Sequence, residues 1–304
     1  MKIAHINNIS GVSTTIAEEQ RKVGHHVNVF TFNKISHLHF GGEKFNYYSP
    51  FSRIKFFKKI NNHDLWHYHY PYGSLKKKIE KKVDNKIYIK HYHGDDIRGK
   101  NDNDMCIVCT PDLLQFTPNG IWIPNPVDLE FLDKYKKNET KNVDPRKINI
   151  AHYPFYKNQK KNRPDVEKDI SEILKDVTKK YNCEIVNIFK LPYHVAISML
   201  SQCDIVIGKI LNKIGWFGKL ELEGMFLGKS VIGYISDHLY DKYKPPVYRT
   251  SSKTFIQDLE TLIEDYSIRK KLANEGPTFV KSNHSKQYVM SLLDKNYEKF
   301  DNKK

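Results

Sequence analysis

Short apolar stretches of strand character alternate with helix-length amphipathic stretches along almost the whole chain, and this alternation leaves few folds open. Residues 1–6 read as a strand, 14–23 as a helix ended by Gly24, and 27–32 as the next strand, which together make a βαβ unit. Further strands are expected at 65–68, 86–92 and 106–110. Residues 133–147 are charged, Asn-rich and weakly patterned, and the interdomain linker is expected there. The alternation then resumes with strands at 148–152, 183–189, 204–207 and 230–234 and helices at 166–180, 194–201 and 219–227. Helices at 253–266, 268–275 and 285–300 finish the chain.

Each series predicts a parallel sheet with helices on both faces. Two Rossmann-like, doubly wound domains of the α/β class therefore follow, and 304 residues suit two domains of ordinary size. The expected division is 1–140, 141–284 and a C-terminal helix, 285–304, packing back on the first domain. Facing lobes of this kind bind ligands beyond the carboxyl ends of their strands, across a cleft, so the residues that follow each strand are the ones to inspect.

Composition narrows the function. A hydrophobic share of 39% excludes a disordered chain. No apolar run has spanning length and the chain starts directly on a strand, so the expected location is cytoplasmic. Cys106, Cys109, Cys183 and Cys203 are too scattered for a disulfide framework. Cys106 and Cys109 form a C-x-x-C inside a buried strand, where residues three apart face opposite ways, and no second pair completes a zinc site.

The net charge of +15 calls for an anionic partner: nucleotide phosphate, anionic lipid or nucleic acid. Two basic clusters carry much of it. Arg53, Lys55, Lys58 and Lys59 interleave with Phe51, Ile54, Phe56 and Phe57, the pattern of an interfacial membrane helix. The competing reading buries Phe56 and Phe57 in the domain's own core. Lys76, Lys77, Lys78, Lys81 and Lys82 read as a solvated helix face.

Several residues after strands suit a sugar diphosphate. Gly11, in the turn Ser10-Gly11-Val12-Ser13, lets a backbone approach a ligand at a helix start. His93, in His91-Tyr92-His93-Gly94-Asp95-Asp96, can hydrogen-bond a sugar or move a proton. Lys157, Lys160 and Lys161 follow the first strand of the second half and can neutralise a leaving diphosphate. Gly215-Trp216-Phe217-Gly218 precedes a helix whose free N–H groups face a phosphate, and Glu221 and Glu223 on that helix can accept from ribose hydroxyls. Each feature also has an ordinary structural explanation: a plain βα turn, a buried histidine, a solvated lysine loop, acids at a helix start.

Five motifs in order carry a resemblance over nearly the whole chain. They are Asn8-Ile9-Ser10-Gly11-Val12 with Arg21-Lys22-Val23-Gly24-His25; His93-Gly94-Asp95-Asp96-Ile97-Arg98; Pro124-Asn125-Pro126-Val127-Asp128; Gly215-Trp216-Phe217-Gly218; and Glu223-Gly224-Met225-Phe226-Leu227-Gly228-Lys229-Ser230-Val231-Ile232. The chain resembles the GT-B retaining glycosyltransferases of the fourth sequence family, in the branch with a G-W-Y-G turn. The resemblance implies that His93 contacts the transferred sugar and that Lys157 and Lys160 take the places of the basic diphosphate-binding pair. Glu223 would bind the donor ribose, Gly11 and Gly218 to Leu220 (with Lys219) would face the donor, and Asp95 and Arg98 would lie on the acceptor side. Gly215 stands where the family's E-x7-E motif has its first Glu.

The expected activity is metal-independent hexosyl transfer without a cofactor. The donor is a UDP- or GDP-linked sugar, and the acceptor is a glycan or a lipid-linked molecule in glycoconjugate or polysaccharide biosynthesis. The chain would work in the cytoplasm, peripherally on the inner face of an anionic membrane, without nucleic acid. Two rivals remain: a nucleotide-sugar epimerase of the same architecture, which converts the donor alone, and a basic nucleic-acid-binding protein, which needs one continuous basic and aromatic surface.

Overall fold

The computed structural model describes residues 1–32, 40–71, 73–83, 86–136, 147–154, 170–210 and 214–300. The chain divides into two units, one of residues 1–126 and 283–304 and one of residues 127–282. Each holds its own parallel sheet, so the fold is α/β and Rossmann-like in both.

The first unit contains β1 (Lys2–Ile6), α1 (Val12–Lys22), β2 (His26–Thr31), β3 (Glu43–Lys44), α2 (Pro50–Ile60), β4 (Leu65–His69), α3 (Gly73–Glu80), β5 (Ile87–Tyr92), β6 (Cys106–Val108) and β7 (Gly120–Trp122). Its strands are ordered β3-β2-β1-β4-β5-β6-β7 and pair in parallel. The order reverses between β1 and β4, which makes their carboxyl ends the switch point where open α/β sheets bind ligands.

The second unit contains α4 (Leu129–Asp133), β8 (Ile148–His152), α5 (Ile170–Lys180), β9 (Cys183–Asn187), α6 (Tyr193–Leu200), β10 (Ile205–Ile207), α7 (Lys219–Phe226), β11 (Ser230–Gly233), α8 (Asp237–Tyr243), β12 (Val247–Arg249) and α9 (Phe255–Glu264). Its order is β12-β11-β10-β8-β9, with the switch between β8 and β10. Then come α10 (Tyr266–His284) and α11 (Lys286–Tyr297), and α11 lies against α1.

Strand alternation sorts the first core. Ile3, Leu65 and Ile89 share one face with Val12 and Ile16 of α1 and Val289 and Leu293 of α11. Ala4, Ile6, Trp66 and Tyr68 point the other way, onto Phe56 and Ile60 of α2 and Leu75 and Ile79 of α3. The expected membrane helix is therefore split: Phe56 is buried and Phe57 packs on the same core, whereas Phe51 and Ile54 are 85% and 66% exposed. All four cysteines are buried free thiols, and β6 ends at Val108, so Cys109 lies one residue past the strand expected to hold it.

Most expected elements fall within a few residues of their observed bounds, with one clear departure. A helix expected to stop at residue 275 instead runs through Gly276 and Pro277 as part of α10. A proline inside a helix removes a hydrogen bond, so the sequence signals a stop there. Close packing accounts for the continuation, because a Cβ placed on Gly276 would lie 2.6 Å from the Met225 carbonyl oxygen of α7. Gly276→Ala should consequently cost about 1–3 kcal/mol, the usual penalty of overpacking. Urea unfolding checks it, and a wild-type midpoint would show that α10 does not press on α7.

Candidate functional site

Where the apolar stripe of the first sheet nears the switch point, it changes to histidine. His5 pairs in register with His67, and His69 with His91, so four imidazoles continue the face that begins with Ile3, Leu65 and Ile89. His93 follows two residues beyond His91. His5, His67, His69 and His91 are buried and His93 is half-buried. The rings stack, with centroids 4.2 Å apart for His67 and His69 and 4.4 Å for His91 and His93.

One amide gives the cluster its direction. Gln20 Oε1 can only accept, so His5 Nε2 donates to it at 2.8 Å. His5 Nδ1 is then left to accept from His69 Nε2 at 3.0 Å, and His69 Nδ1 accepts from His93 Nε2 at 3.1 Å. On the other side Gln20 Nε2 donates to the Tyr297 hydroxyl at 2.8 Å, which donates to His67 Nδ1 at 3.2 Å. His67 Nε2 donates to His91 Nδ1 at 3.1 Å. His91 Nε2–H ends the chain, buried and without a partner among the described residues. Gln20 thus fixes the tautomers of His5, His69 and His93, and this leaves the Nδ1 lone pair of His93 to accept from a ligand.

Burial keeps these rings neutral. It lowers His5 to about 4 and His93 to about 3, and holds His67, His69 and His91 well below their ordinary value. The loop after β5 is tied down by Asp96, whose carboxylate accepts from the backbone N–H of His93 at 3.0 Å and of Gly94 at 2.7 Å. Burial also raises Asp96, to about 6. Arg98, expected on the acceptor side, donates to buried Asp112 at 2.7 Å and lies 3.8 Å from the half-exposed Asp95. Its guanidinium therefore braces the loop that carries His93. Gly11 caps α1 in the left-handed region at φ 77°.

A separate pocket of about 980 Å³ in the same unit is lined by aromatic rings, among them Phe32, Tyr47, Tyr48, Tyr68 and Tyr70. In the second unit, Trp216 and Phe217 are buried and stacked at 4.3 Å, and they anchor the turn before α7. Gly218 offers α7 no side-chain cap, so a helix N-terminus without one follows the turn. Lys209, after β10, places Nζ 2.9 Å from where a Cβ on Gly218 would stand. Its own N–H donates to Glu221 at 3.0 Å, which fixes Glu221 as a brace for that loop. Glu223 is 4% exposed. Its Oε1 accepts from Tyr193 at 2.7 Å and lies 3.8 Å from Lys219 Nζ. Burial raises Glu223 and lowers Lys219. Tyr193 in turn stacks on Phe131 at 5.2 Å.

The second unit therefore brings Gly218, Lys219, Leu220 and Glu223 together at one helix start. Lys157 and Lys160, with Lys161, lie outside the described residues. Gly11, His93, Asp95 and Arg98 belong to the first unit. Sequence patterns alone did not single out Lys209 and Tyr193, nor His5, Gln20, His67, His69, His91 and Tyr297. The two H-x-H steps at 67–69 and 91–93 are the signal that points to the cluster, since period two puts both residues of each step on one face of a strand.

No protein-family model matches the chain, and no curated protein matches it. Solved structures are similar in fold. Sucrose-phosphate synthase from Thermosynechococcus elongatus is 12% identical with a TM-score of 0.66, covering 98% of each chain. Anabaena HepE in complex with UDP-glucose is 12% identical with a TM-score of 0.65, covering 98% of this chain and 100% of that one. An α-glucosyltransferase in complex with UDP and a 13-mer DNA is 10% identical with a TM-score of 0.63, covering 98% and 99%. The fold is thus that of the GT-B glycosyltransferases.

The neutral rings predict acid sensitivity. An unfolded histidine takes its proton near pH 6.5, whereas the buried rings refuse it until lower pH. Their contribution is complete above the unfolded value and is lost as pH falls below it, at about 1.4 kcal/mol per pH unit for each fully buried ring. Urea midpoints compared at about pH 7.5 and about pH 5.5 should fall steeply. A flat profile would mean that the rings are already charged or solvated.

Proposed function

We propose that the chain is a retaining, metal-independent glycosyltransferase that moves a hexosyl group from a nucleoside diphosphate sugar to a glycan or lipid-linked acceptor. The observation that carries this reading is the start of α7, with an uncapped helix end, Lys209 beside it and Glu223 held by Tyr193 and Lys219. An anion placed there meets N–H dipoles and ammonium groups, which is what a departing diphosphate needs. Similar folds that bind UDP or UDP-glucose support a uridine-linked donor.

The roles divide by unit. The second unit takes the nucleotide, with Glu223 for the ribose hydroxyls, Gly218 to Leu220 for phosphate, and Lys157 and Lys160 as further cations. The first unit takes the acceptor, and Gly11 adds backbone at the sugar. His93 Nδ1 accepts from a sugar hydroxyl and orients it. The acceptor hydroxyl attacks the anomeric carbon as the bond to the diphosphate breaks, and its proton leaves with the diphosphate oxygen. No covalent enzyme intermediate is needed.

Glu223→Ala, and the double change of Lys157 and Lys160 to Ala, should each weaken UDP binding by about 1.5–3 kcal/mol in calorimetry, with circular dichroism unchanged. Unchanged affinity in both would remove the donor-site assignment. His93→Ala should lower turnover far more than UDP affinity, and EDTA should leave activity intact. Conversion of donor without acceptor would favour an epimerase instead.

The acceptor reading favours a lipid-linked molecule at the inner membrane face over nucleic acid. Tyr48, Phe51 and Ile54 are exposed beside Arg53, Lys55 and Lys58, and no described helix is long and apolar enough to cross a membrane. Each basic residue near an anionic surface adds about 1 kcal/mol, screened by salt. The protein should sediment with anionic vesicles at low salt and not with neutral ones. Salt-sensitive binding that survives Phe51→Ser with Arg53, Lys55 and Lys58 changed to Gln, or that prefers duplex DNA, would contradict the membrane reading.

A further inference from the structure

We propose that His69, His91 and His93 form a binding site for a borderline-soft divalent transition ion of the zinc class. One ring nitrogen from each lies within 4.8 Å of the other two. Ligand nitrogens around a tetrahedral ion at 2.0–2.1 Å stand about 3.4 Å apart, so ring tilts that close at most about 1.4 Å bring the three onto one ion. His69 Nδ1 and His93 Nε2 already stand 3.1 Å apart.

Three further observations point to a ligand. First, His91 Nε2 is buried without a partner among the described residues, and a native chain seldom leaves such a group unfilled. Second, the outward nitrogens of the set are already oriented. His69 Nε2 donates to His5 at 3.0 Å, the arrangement that steadies a metal-bound imidazole from behind, and His91 Nδ1 stands 3.1 Å from His67 Nε2, ready for the same bond once its proton is on Nδ1. Third, His69 and His91 stand in register on neighbouring strands, while Asp96 fixes the backbone under His93. The bases of all three ligands are therefore rigid. An all-imidazole donor set suits zinc, cobalt, nickel or copper and not magnesium or calcium.

The protons balance without any leaving. His69 Nδ1 already carries a lone pair. The proton on His93 Nε2 moves to Nδ1, and the one on His91 Nε2 moves to Nδ1. His67 then donates through Nδ1 to the Tyr297 hydroxyl, whose second lone pair still receives Gln20 Nε2. All rings stay neutral, and three ligands leave a fourth coordination position for water. An ion at this site turns His93 Nδ1 from an acceptor into a donor and so opposes its hold on a sugar hydroxyl, which leaves the metal-free chain as the active form. That consequence rests on the transferase reading, whereas the site itself does not.

The test uses the full chain stripped with EDTA and titrated with cobalt(II), then with zinc. One cobalt per chain should bind with visible d–d bands of tetrahedral intensity, and zinc should displace it. His69→Gln and His91→Gln should weaken uptake about tenfold or more, while His25→Gln binds as wild type. Absence of saturable uptake, or unchanged affinity in folded His69→Gln and His91→Gln, overturns the site. If those variants do not fold, X-ray absorption of the zinc-loaded wild type decides. A shell of three imidazole nitrogens at about 2.0–2.1 Å supports the site, and a sulfur or mainly oxygen shell overturns it.

Discussion

The hydrogen bond from His5 to Gln20 is the contact on which the chemistry of the first unit turns. An imidazole can donate through either nitrogen, and five of them in a row can run their protons in either direction. An amide oxygen accepts and cannot donate, so Gln20 picks one direction for the run from His93 through His69 to His5. Without it the same rings would hold mixed tautomers, and His93 would present a lone pair in some molecules and an N–H in others. A residue on α1 thereby sets what a ring beyond β5 offers a ligand.

Burying these rings has a cost that the fold meets by pairing nearly every nitrogen with another polar group. The result is a polar layer inside an apolar face, with Ile3, Leu65 and Ile89 ahead of it and α1 and α11 above it. The second unit solves a related problem at α7. There Glu223 and Lys219 are buried close together, and Tyr193 supplies the hydrogen bond that the ion pair alone does not give. In both units a side chain from a neighbouring element, Gln20 or Tyr193, holds the buried groups in place.

The α/β class and most elements were legible because period-two and longer helical patterns are local properties of sequence. The start of α7 was legible for the same reason, since Gly218 and the acids after it are neighbours in the chain. The histidine network was not. His5, Gln20, His69 and Tyr297 lie far apart in sequence and meet only through the strand order β1-β4-β5 and the return of α11 onto α1. The place of Lys209 is hidden in the same way, because only the fold returns its loop to Gly218.

The central claim is that the network holds His93 neutral, with its proton on Nε2 and its lone pair on Nδ1. Long-range proton–nitrogen correlation spectra of the metal-free chain, labelled with nitrogen-15 at histidine, report this directly. The account predicts a neutral Nε2–H ring for His93 at neutral pH, assigned by its loss in His93→Gln, and a mixture of tautomers once Gln20 is changed to Leu. An imidazolium, or an Nδ1–H ring in the wild-type chain, would contradict it.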